Sequence, residues 1–151
     1  KKAQVGFLHP FHALAISKEA KAALHSVELK GLLAEPVTGR DDLFKLSSAV
    51  VLPICELPLI DPSGKKVEFV NGIQERFYAV LDDGGYFPSE LKYKRTQIDA
   101  LGGFDIAVTK ERTSTSSTIG FRHCVVSQNF RQKMKELKVK GFKYVPVHLV
   151  D

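Results

Sequence analysis

Two stretches decide the reading of this chain: Phe11-His12-Ala13-Leu14-Ala15-Ile16-Ser17 near its start and Phe121-Arg122-His123-Cys124-Val125-Val126-Ser127 near its end. They lie 110 residues apart, and the same offset holds further on. Leu29-Lys30-Gly31-Leu32 falls on Val139-Lys140-Gly141-Phe142, and Pro36-Val37 falls on Pro146-Val147, with no gap. Phe, Ser, Lys, Gly, Pro and Val are identical in the two copies, and most other apolar positions stay apolar. A fixed offset is the mark of an internal repeat. Each copy, about 11–37 and 121–147, spells strand, serine, helix, glycine, strand.

Residues 13–16 and 124–126 are short strand candidates. Each ends in a serine, Ser17 or Ser127, a preferred N-cap because its hydroxyl accepts a bond from an orphan helix N–H. Ala20, Ala23, Leu24 and Val27 recur at i, i+3, i+4 and i+7, which is one helical face. Phe130, Met134 and Leu137 repeat that face in the second copy. Lys and Arg fill the other sides. Gly31 and Gly141 are expected as helix C′ residues with φ > 0. Exit strands follow at 32–37 and 142–150, with Pro36 and Pro146 at a strand edge or end because they lack an N–H.

The middle, about 48–110, reads as mostly β. Residues 49–52 form a strand interrupted by Pro53, with 57–60 a possible resumption. Asp61-Pro62-Ser63-Gly64 and Asn71-Gly72 are turn signals. Residues 67–70, 77–81 and 104–108 are further strands. Residues 86–100 fit two readings: a short helix capped by Ser89, or a strand through Tyr93-Lys94-Arg95. Residues 113–118, Thr-Ser-Thr-Ser-Ser-Thr, read as a polar loop. The expected fold is a single α+β domain over 1–151, mostly antiparallel sheet, with two equivalent strand–helix–strand units.

Apolar residues make up 44% of the 151 and charged residues 26%, enough apolar side chains for a real core. The longest uncharged apolar run, residues 49–55, is far below the ~20 residues that span a bilayer. Residues 1–7 carry no sustained apolar core of a signal peptide. Cys55 and Cys124 sit in apolar runs and form no Cys-x-x-Cys, so buried free thiols and a cytoplasmic location are expected. The net charge is +5. That sign suits an acidic partner or nucleic acid without deciding between them.

No motif carries catalysis. His9-Pro10-Phe11-His12 has metal-ligand spacing, but Pro10 opposes a helix and nothing completes four ligands. In His123-Cys124 the side chains of strand neighbours point to opposite faces, so they cannot pair directly. Another histidine would have to supply the base for a catalytic thiol. Gly-x-Ser-x-Gly and phosphate-loop patterns are absent. Asp41-Asp42 and Asp82-Asp83 suit turns and helix starts better than a two-metal site. No cofactor and no metal is expected.

The second copy, Phe121 to Phe130 followed by Leu137-Lys138-Val139-Lys140-Gly141-Phe142-Lys143-Tyr144-Val145-Pro146-Val147, resembles the C-terminal signature of bacterial polymorphic-toxin immunity proteins. Phe104-Asp105-Ile106 resembles their lead-in to it. The double-CXXCG members carry such a unit twice, as this chain does, although neither Cys-x-x-Cys-Gly is present here. The match covers the two ends, roughly 60 residues. The resemblance implies stoichiometric binding of a cognate toxin protein and no catalytic residue. The partner-binding candidates are Tyr86 and Phe87 as aromatic anchors, with Lys92, Lys94, Arg95, Lys110 and Arg112 as cations. Residues 82–88 and 110–118 are the contact loops. The alternatives are a nucleic-acid-binding domain using those cations, and an enzyme whose groups converge from distant segments.

Overall fold

The computed structural model describes residues 5–8, 13–56, 68–70, 76–78, 91–110, 112–114, 122–144 and 146–151. Helices and mostly antiparallel strands make it an α+β protein. In chain order the elements are β1 (Val5–Leu8), β2 (Ala13–Ser17), α1 (Lys18–His25), β3 (Leu32–Val37), β4 (Arg40–Ser48), β5 (Glu68–Val70), β6 (Arg76–Tyr78) and β7 (Leu91–Lys94). They continue as α2 (Arg95–Asp99), β8 (Ile106–Val108), β9 (Arg112–Ser114), β10 (Cys124–Val126), α3 (Gln128–Glu136) and β11 (Val147–Val150). No helix is long and apolar enough to cross a membrane among the described residues.

The chain divides into two compact units, each described by itself. The first gathers the described residues of Lys1–Val51, Gly103–Val108 and Cys124–Lys143; the second those of Leu52–Gly102, Thr109–His123 and Tyr144–Asp151.

In the first unit β1, β2, β4 and β3 form an antiparallel sheet in that order. Both β2 and β3 run antiparallel to β4, so they are parallel to each other and α1 is the crossover between them. Such a link needs an intervening element, because parallel strands cannot be joined by a tight turn. Pro36 lies on the edge strand β3, where a missing N–H is tolerated, and the register shifts beside it. A second, two-stranded pair, β10 with β8, is also antiparallel. Val51 bridges to Val108 in parallel.

One core serves both helices of this unit. Ile16, Ala20, Leu24, Leu29, Leu46, Ile106, Phe130, Met134 and Val139 form a single buried cluster. Leu24 and Met134, which occupy equivalent positions in the two segments, are both buried. Ala23, Val27 and Leu137 pack against the cluster as partly buried neighbours, so the helical faces read from periodicity are the faces that pack. Phe130 meets Phe142 edge-on, ring centroids 5.5 Å apart. Burying one such side chain contributes about 2–3 kcal/mol.

In the second unit β7 pairs in parallel with β11, from Val147↔Leu91 to Val150↔Lys94. A three-stranded sheet has the order β5-β6-β9, with β6 and β9 parallel. Leu91 and Tyr93 are buried while Lys92 and Lys94 are exposed, the alternation of a half-buried strand.

Several expectations need correction. Gly31 and Gly141 do have positive φ, 90° and 110°, but neither is a helix C′ residue. The C-caps are Ser26 and Leu137, so both glycines lie several residues past the helix end, Gly31 in the turn that leads into β3. The long strand is Arg40–Ser48, not 49–52, where Val51 makes only an isolated bridge. Asp41 and Asp42 are strand residues, and both carboxylate oxygens of Asp42 accept from the Arg40 guanidinium at 3.0 Å. Residues 91–99 are a strand followed by a short helix, which excludes a helix through Leu91. Thr113 and Ser114 belong to β9 rather than to a loop. The second exit strand spans Val147–Val150, shorter than 142–150. Residues 57–60, 61–64, 71–72, 82–89 and 115–118, with His9 and His12, lie outside the described residues.

Candidate functional site

A hydrogen-bonded junction in the first unit positions everything around it. Asp105 precedes β8. Its Oδ2 accepts the Lys30 backbone N–H at 3.0 Å. Its Oδ1 accepts from the Ser127 hydroxyl at 2.8 Å and the Asn129 amide at 2.9 Å. The backbone repeats the link: Asp105 N–H donates to Lys30 O, and Ser127 N–H donates to Asp105 O. Burial pushes the Asp105 carboxyl up, but the bonds from Asn129, Lys30 and Ser127 outweigh it and leave the pKa below the ordinary carboxylate value. Close by, the Ser48 hydroxyl donates to Ile106 O at 2.7 Å and accepts from Val50 N–H at 2.9 Å. These are satisfied structural bonds. The junction fixes the start of α3 and the turn at Gly31 together.

The His123-Cys124 pair is chemically quiet. Burial lowers the His123 pKa to about 4, so the imidazole is neutral at pH 7. Burial raises the Cys124 thiol to about 11 despite the attraction of Lys45. A thiol that far above neutrality holds almost no thiolate, the form that attacks. Cys55 and Cys124 are both thiols outside any disulfide, the first buried and the second partly so. No group of three His, Cys, Asp or Glu side chains is gathered at metal-binding distance among the described residues.

The basic candidates read from sequence fall in several places. Lys92 and Lys94 lie on the exposed side of β7, and Arg95 opens α2. Lys94 faces Glu56 at 3.9 Å and Arg95 faces Asp151 at 3.5 Å, so these three cations share their surroundings with two carboxylates. Lys110 is half-buried. Arg112 is in β9, paired with Arg76 of β6. Tyr86 and Phe87 lie outside the described residues.

Sequence reasoning passed over the cations of α3 and the turn after it. At 100° per residue, Phe130, Met134 and Leu137 define the packed side of this helix. Arg131 and Lys135 then fall together on one flank, both exposed, and the exposed Lys138 lies past the end of the helix. On the other flank Glu136 accepts from Gln132 and Lys133 at 3.1 and 3.0 Å. The helical-wheel arithmetic that found the apolar face would also have found this charged one.

The end of α3 is unusual. Lys138, the C′ residue, has φ 54°, the left-handed region that glycine occupies most easily. Val139 N–H donates to Met134 O and Lys138 N–H to Lys135 O. That pair of bonds is the Schellman motif, and the buried Val139 and Met134 supply its apolar contact.

Comparison with family models, with curated proteins and with solved structures returned no match.

Proposed function

We propose that this protein is an immunity protein, which binds a cognate bacterial toxin one-to-one and neutralises it without turnover of its own. One observation carries the reading: the residues behind the resemblance build a frame and leave its cations facing outward. Ser127 caps α3 through Phe130 N–H, and Gly141 turns the chain at positive φ. Lys138, Lys140 and Lys143 between and beside them are exposed. A binding protein needs such a rigid frame with a free surface. The quiet titration of His123 and Cys124 gives that pair no part in thiol catalysis.

The experiment is co-expression in bacteria of the toxin domain encoded beside this gene, with and without this chain. Survival only with the chain, and a one-to-one complex on gel filtration, is the expected result. Equal killing in both cultures, with no complex, rejects the reading. Salt-sensitive binding to random DNA would then favour the nucleic-acid alternative.

A further inference from the structure

We draw no further inference here: the strongest candidate, the exposed Asp41-Asp42 pair where the register of β4 shifts beside Pro36 and Val37 of β3, is an acidic cluster whose Asp42 is already held by Arg40, and no second feature of the structure points to a ligand there.

Discussion

At the start of α1 and the start of α3 the same backbone recurs. Ser17 sits at φ −69°, ψ 163° and Ser127 at φ −74°, ψ 166°. Each hydroxyl accepts the N–H three residues on, from Ala20 at 3.2 Å and Phe130 at 3.0 Å. The ends differ. Helix α1 stops at His25, with Ser26 closing onto the Ala22 and Ala23 carbonyls. Helix α3 runs one residue further in register and closes through Lys138. Their exits differ as well, since β3 returns beside β4 in the first unit whereas β11 pairs with β7 in the second. Entry into a helix is set by orphan N–H groups that only a few side chains satisfy. The helix end and its outer flank are held more loosely, and there the two segments have parted in chemistry.

The sharpest way to break this comparison is at the paired glycines. A Cβ on Gly31 would meet Ile106 O at 2.5 Å and Ser48 Oγ at 3.0 Å, on a backbone already at φ 90°. Gly141 is exposed. Gly31→Ala should therefore cost about 3 kcal/mol, from overpacking added to left-handed strain, and Gly141→Ala about 1 kcal/mol from strain alone. Equal shifts in denaturant midpoint would contradict the distinction.

The next effect is in pH. His123 stands where the first segment has Ala13. Its folded pKa, about 4, is depressed below the unfolded value near 6.5. The unfolded chain therefore binds the proton first. The contribution is fully present above pH 6.5 and is lost as pH falls toward 4. About 2 kcal/mol should disappear between pH 7 and pH 5 on this account, and His123→Gln should flatten the slope over that window. A slope that survives the substitution would assign it to other groups.

The caps come third. Ser17→Ala should cost about 1 kcal/mol. Ser127→Ala should cost about 1.5 kcal/mol or more, because the Ser127 hydroxyl also donates to Asp105. A Ser127→Ala loss of no more than about 1 kcal/mol in thermal unfolding, the worth of a cap alone, would show that the Asp105 bond adds nothing. Smallest is Lys138→Gly, a gain of about 0.5–1 kcal/mol as the left-handed C′ position loses its strain. A loss of stability there would mean that the Lys138 side chain anchors the turn.

What sequence could reveal followed from periodicity and local chemistry. The i, i+4 faces of α1 and α3 are written in apolar spacing, so those elements were legible, whereas β7 is only four residues long and its stretch fitted a helix as well as a strand. Helix ends were not, because Lys138 hides a left-handed residue that a search for glycine passes over. Strand β4 was missed because Asp41-Asp42 looks like turn chemistry until Arg40 is seen to neutralise Asp42 along the strand. The role of Asp105 was hidden for a different reason. Its partners Lys30 and Ser127 are 75 and 22 residues away, and no local pattern encodes so distant a contact. The charged flank of α3 was legible in principle. It was passed over because a lysine run on a helix is ordinarily solvated surface.

The shared core of the first unit also dictates an order of events during synthesis. Ile16, Leu24 and Leu46 need Phe130, Met134 and Val139 to complete their cluster. About 80 residues separate Leu46 from Phe130, so at ~5–20 residues per second the ribosome takes roughly 4–16 s to supply the missing side. During that interval the emerging N-terminal strands carry an apolar face without its cover, and they are a natural client for a chaperone stationed at the exit tunnel.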